Sequence, residues 1–119
     1  MPNREWRFYL DDMIRFAENV LAYCDGLDQA AFENTGLNYD ATVRNPELIG
    51  EAATHIPSEI REAYISIPWR QIVATWNRLI HGYLGIDNDT LWNIIQDDIP
   101  ALITELQHIS NKLNTGQNL

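Results

Sequence analysis

The stretch Pro68-Trp69-Arg70-Gln71-Ile72-Val73-Ala74-Thr75-Trp76-Asn77-Arg78-Leu79-Ile80-His81-Gly82-Tyr83 carries both the structural and the chemical signal of this chain. Trp69, Ile72, Val73, Trp76, Ile80 and Tyr83 recur at three- and four-residue steps, which places them on one side of an α-helix. Pro68 suits a first helical turn, where its missing N–H costs nothing. Gly82 and Gly85 bracket the expected end of the helix.

The same spacing extends outward in both directions. Leu91, Ile94, Ile95, Ile99, Leu102, Ile103, Leu106, Ile109 and Leu113 predict a long helix from a cap at Asn88 or Asp89 to Leu113, bent at Pro100. Toward the N-terminus, the stripe Trp6, Tyr9, Leu10, Met13, Phe16, Ala17, Val20, Leu21 and Cys24 predicts a helix over about Arg4 to Tyr23. Asp25-Gly26 ends it. A further helix is expected from a cap at Asp40 to Ile56, with Pro46 kinking or delaying it and Gly50 and Ala53 small enough to admit another helix closely. A short helix follows over Ser58 to Tyr64. Residues Asp28 to Asn38 give no clear period, and Gly36 favours a loop there. No strand pattern competes. The expected fold is all-α: an up-and-down bundle of four long helices plus a short one, one domain over residues 1–113, with a frayed tail over 114–119.

Composition narrows the function. The chain has 119 residues, the size of one domain, and 45% of them are hydrophobic, enough for a real core. No apolar run approaches the roughly 20 residues that span a membrane, and the N-terminus lacks a secretory layout. Cys24 is the single cysteine, which excludes an internal disulfide and a CxxC metal site and suits a cytoplasmic setting. Lys+Arg number 8 against 17 Asp+Glu, a net charge of −9, and Lys112 is the only lysine. Such a chain meets RNA only through a local cationic patch, and its acidity suits a partner with a basic face. The same charge also serves plain solubility. The four tryptophans and the long aliphatic stripes offer more apolar surface than a monomer of this size readily hides, so a homodimer is expected.

Of the three histidines, His55 reads as a surface or capping residue, and His108 lies among solvent-facing polar residues. His81 differs in its neighbours. Asn77 lies four residues before it, Arg78 three before it and Tyr83 two after it, so an amide, a cation, a phenol and the one side chain that titrates near neutrality gather within about two helical turns. A histidine near a helix C-terminus also simply favours the dipole. Around His81 no second histidine or glutamate stands at ligand spacing, so neither a metal nor a cofactor is expected. There is no glycine-rich phosphate loop, and no serine or cysteine adjoins a histidine.

The run Asn77-Arg78-Leu79-Ile80-His81-Gly82-Tyr83-Leu84-Gly85-Ile86-Asp87 resembles the signature of the HepT-like proteins, small HEPN-domain ribonuclease toxins. Ile49-Gly50-Glu51-Ala52-Ala53, Ile67-Pro68-Trp69-Arg70, Trp92 and Asp98-Ile99-Pro100 extend the resemblance over nearly the whole chain. It implies helical bundles paired into homodimers, with a cleft between the paired helices. It also implies metal-independent RNA cleavage, in which the 2′-hydroxyl attacks the adjacent phosphate. His81 would then move a proton, and an arginine would stabilise charge growing on the phosphoryl oxygens. The implied partner is a minimal nucleotidyltransferase antitoxin that attaches AMP to the tyrosine of the His-x-Tyr motif, here Tyr83. This sequence departs from the pattern at one place. The expected arginine aligns with Trp76, which carries no charge, and Arg78 is the nearest cation on the same helix.

Overall fold

Each long apolar stripe becomes the buried face of a helix. The computed structural model describes residues 5–82 and 85–114. Tyr83 and the 115–119 part of the expected frayed tail lie outside the described residues. Helix α1 (Trp6–Cys24) buries Leu10, Met13, Ala17, Val20 and Cys24. It packs against α3 (Leu37–Ala53) and α7 (Ile99–Asn114). Between α1 and α3 lies α2 (Gln29–Glu33), in the stretch whose sequence gives no clear period. The Asp28 carboxylate accepts the Ala31 N–H at 2.8 Å, and Phe32 is buried, so one cap and one anchor suffice for a short helix. Its few residues are too short for a period to show. Six continuous helices therefore form among the described residues, over 6–24, 29–33, 37–53, 58–63, 69–80 and 88–114, against the expected four long and one short. The all-α class stands.

Helix α3 starts three residues before the expected cap. Gly36, at φ +68°, turns the chain into it, and Asp40 sits in the first turn facing the dipole instead of capping. Pro46 does not delay the helix. It is buried in its middle, where the preceding Asn45 amide donates to the Ala41 carbonyl at 2.6 Å. The far end closes earlier than expected, at Ala53. From α4 (Ser58–Ala63), the Arg61 guanidinium donates to the carbonyls of Ala53 (2.9 Å) and Ile56 (3.0 Å), which a helix end would otherwise leave open.

The helix over 69–80 is not uniform. Gln71–Thr75 form a π-helical turn, followed by α5 (Trp76–Ile80). The Trp76 N–H reaches back five residues to the Gln71 carbonyl, so it does not serve Ile72, as a regular α-helix would have it. The Ile72 carbonyl instead lies against Gly50 of α3, where an added Cβ would stand 2.7 Å from it. The expected close approach at Gly50 is thus real, and it is backbone against backbone. The last helix carries a second π-helical turn, Ile94–Asp98, between α6 (Asn88–Asn93) and α7. It comes just before Pro100, whose missing N–H already breaks the α-helical ladder there. Asp87, not Asn88 or Asp89, is the cap of α6.

Candidate functional site

The segment that decides the chemistry begins where α5 ends. Ile80 is fully buried and is the last helical residue. Strand β1 (His81–Gly82) then pairs antiparallel with β2 (Gly85–Ile86), His81 opposite Ile86 and Gly82 opposite Gly85. The Asp87 N–H closes the turn by donating to the Ile80 carbonyl at 2.6 Å. Gly85 takes φ +123°, a conformation that side-chain-bearing residues rarely adopt. The helix, whose end is expected between Gly82 and Gly85, therefore stops earlier, at Ile80. His81 stands exposed on a strand and does not share a helical face with Asn77. The pairing is a two-residue ladder inside a helical protein.

Trp76 points into the core and is only 2% exposed. Arg78 follows two positions later, about 200° around the helix, and it is exposed. Among the described residues it has no carboxylate partner. The fold thus separates the two: the indole belongs to the buried core that also holds Trp69, Ile72 and Ile80, while Arg78, three residues before His81 in the chain, is exposed. The Asn77 backbone lies in α5. Its side chain, like the whole of Tyr83, is outside the described residues.

The chain beyond β2 is well anchored. The Asp87 carboxylate accepts the Thr90 N–H (3.1 Å) and the Thr90 hydroxyl (2.8 Å). The backbone bond first and the hydroxyl second hold its pKa below the usual carboxylate value. Helix α2 fastens the start of α6. Gln29 Nε2 donates to Glu33 Oε2 (2.9 Å) and to Asp89 Oδ1 (2.7 Å), Asn88 Nδ2 donates to Glu33 Oε1 (3.3 Å), and the Tyr39 hydroxyl donates to Asn88 Oδ1. Burial, and then the Glu33 charge, push the Tyr39 phenol above its usual value. Phe32 packs its ring against Tyr39 (5.3 Å between centroids) and Trp92 (5.5 Å). Sequence reading missed this clamp, because its partners lie about 50 to 60 residues apart in the chain.

The other candidates are occupied elsewhere. His55 stacks on Tyr9 of α1, with centroids 4.1 Å apart and planes 12° from parallel. His108 meets the edge of Tyr64 at 6.5 Å. Burial raises the Cys24 thiol pKa, the reverse of what a nucleophilic cysteine needs. Among the described residues, no group of three or more His, Cys, Asp or Glu side chains could hold a metal ion, and no helix is long and apolar enough to cross a membrane.

Comparison with known proteins adds to this geometry. The pattern of the ribonuclease HepT-like family matches residues 13–109, which include all of the segment from Pro68 to Asp87. An inferred RNase of Methanocaldococcus jannaschii is 34% identical over 107 residues, 90% of this chain and 98% of that one. An inferred RNase of Caldanaerobacter subterraneus is 31% identical over 89% of this chain and 95% of its own. A probable ribonuclease HepT of Thermococcus cleftensis is 31% identical over 83% of this chain and 90% of its own. No solved structure matches significantly.

Proposed function

The chain belongs to the ribonuclease HepT-like family, and from that premise we propose that it is a slow RNA endonuclease subunit in which His81 transfers the proton and Arg78 supplies the positive charge. The observation that carries the reading is that His81 and Arg78, three residues apart at the end of α5 and inside the stretch matched to the family, are both exposed, and that Arg78 has no ion-pair partner among the described residues. The 2′-oxygen would attack the neighbouring phosphorus as its proton passes to a base, and the bond from phosphorus to the 5′-oxygen would break as that oxygen takes up a proton. The products are a 2′,3′-cyclic phosphate and a 5′-hydroxyl. An imidazole is the side chain best suited to take or give a proton near neutral pH. An arginine can donate two parallel N–H bonds to a phosphoryl group. Because the nucleophile belongs to the substrate, the step needs no metal-bound water. Trp76 fills, with packing, the position where the resemblance expects a cation, which accounts for a slow rate.

The proposal extends to assembly. The subunit pairs with a second copy, so that two α5 ends face one cleft, and its partner is a minimal nucleotidyltransferase antitoxin. Tyr83 is the proposed acceptor of AMP. In the sequence it directly follows Gly82 and lies two residues before Gly85. The direct test of substrate chemistry uses one RNA oligomer and its 2′-O-methyl copy, with a chelator present. Cleavage of the first and not of the second supports the reading. Equal cleavage of both, or of neither, contradicts it. The burial of Trp76 favours one rival, a catalytically inactive dimer that binds the nucleotidyltransferase. That protein would leave both oligomers intact.

A further inference from the structure

Most of the described cations of this acidic chain are engaged within it. Among the described cations, Arg7 pairs with Glu5 (3.4 Å), Arg15 with Asp12 (3.1 Å) and Arg44 with Glu47 (3.5 Å). Arg61 caps α3, and Lys112 lies over the Tyr64 ring at 5.7 Å. Arg70 and Arg78 are left, both exposed and without an ion-pair partner among the described residues. Both stand on the helix over 69–80, one on each side of its π-helical turn.

That turn sets their phase. In a regular α-helix, eight residues advance about 800°, which would leave the two arginines roughly 80° apart. A π-helical turn absorbs one extra residue per turn, so the same eight residues cover about seven α-helical steps, or roughly 700°. Arg70 and Arg78 then project in nearly the same direction, away from Ile72 and Trp76. They stand about 10–12 Å apart along the axis, too far to share one phosphate and well placed to meet two.

We propose that Arg70 and Arg78 form a two-point track that holds the phosphate backbone of single-stranded RNA and leads it to His81. Arg70 is a binding residue in this arrangement, and no step of the cleavage needs it. The inference rests on RNA being the substrate. It is separable from catalysis, because it predicts binding of an RNA that cannot be cleaved.

The test measures fluorescence anisotropy of the full chain with a labelled 2′-O-methyl oligoribonucleotide, across a salt series. Each phosphate contact on a single strand contributes about 0.7 to the slope of log affinity against log salt. Arg70→Ala should lower that slope by about 0.7 and weaken binding about fivefold at 0.1 M salt. Arg70→Ala with Arg78→Ala should double the change in slope, and Arg70→Lys should restore most of it. Circular dichroism should show unchanged helix content, as both side chains are exposed. An unchanged slope in Arg70→Ala overturns the track while leaving cleavage by the wild type intact. A wild type that binds no RNA overturns the track and the ribonuclease reading together.

Discussion

Replacing Trp76 by arginine would test the fold and the chemistry at one position. The indole is 2% exposed and belongs to the core that also holds Trp69, Ile72 and Ile80. A tryptophan buries about 150–250 Å², and at about 25 cal/mol per Å² that is roughly 4–6 kcal/mol as an upper bound. Arginine keeps part of the apolar stem but brings a charge with no carboxylate partner into the core, and an unpaired buried charge costs several kcal/mol unless it escapes to water. The net loss should be about 3–5 kcal/mol, the range seen when a core aromatic is removed. For a domain of this size that lowers Tm by roughly 10–20 °C. Thermal melts followed by circular dichroism, with urea unfolding to check that the m-value holds, measure it. A Tm drop under about 4 °C would mean that the indole is no core plug and that α5 is rotated from the phase described. If the arginine reaches the surface, RNA cleavage assayed well below the variant's Tm should rise as stability falls. A variant that melts higher and cleaves no better would break the alignment of Trp76 with the family's arginine.

Gly50→Ala sets a Cβ 2.7 Å from the Ile72 carbonyl, which is backbone and has little room to yield; overpacking of this kind costs about 1–3 kcal/mol, and a urea melt should show it, whereas an unchanged midpoint would mean the two helices part freely. The acid limb of stability should change in opposite senses at two carboxylates. Asp87 has a lowered pKa, so its contribution is present above the unfolded value near 4 and is lost as pH falls through the folded one; Asp87→Asn should lower Tm at pH 7 and match the wild type at low pH. At Asp98, partial burial and then the Asp97 charge raise the pKa, so ionisation weakens the fold as pH rises; Asp98→Asn should raise Tm at pH 7 and change nothing at low pH. With a minimal nucleotidyltransferase and ATP, the wild type should gain AMP masses that Tyr83→Phe does not, and equal labelling of both chains would remove Tyr83 as the acceptor.

The bundle was legible because its core is periodic. Leu10, Met13, Ala17 and Val20 in α1, and Leu91, Ile95, Ile99, Leu102, Leu106 and Ile109 in the last helix, announce their buried faces at three- and four-residue steps, and all are buried. The close approach at Gly50 could be read from its size alone. What the sequence hid depends on hydrogen bonds between distant residues or on backbone angles. The end of α5 at Ile80 is set by pairing with Ile86 and by φ at Gly85, and an apolar stripe that runs on to Tyr83 masks it. The π-helical turn at Gln71–Thr75 has no signature in its side chains, yet it decides which arginines share a face. Asp87 won the cap from Asn88 and Asp89 because only its carboxylate meets Thr90. At the site, His81 and Arg78 were singled out by residue type, while their exposure and the burial of Trp76 needed the fold.

The proposed cleavage requires His81 to move a proton. The most direct measurement is the single-turnover rate of RNA cleavage by the wild type and by His81→Ala, purified alike, at neutral pH with a chelator present. Exposed on β1, His81 can be removed without opening the core. Proton transfer by His81 requires the variant's rate to be lower by about 10²–10⁴-fold with helix content unchanged, which is the usual worth of a general acid or base. Equal rates in the two proteins would contradict that role and place the activity, if it belongs to this chain at all, at some other residue.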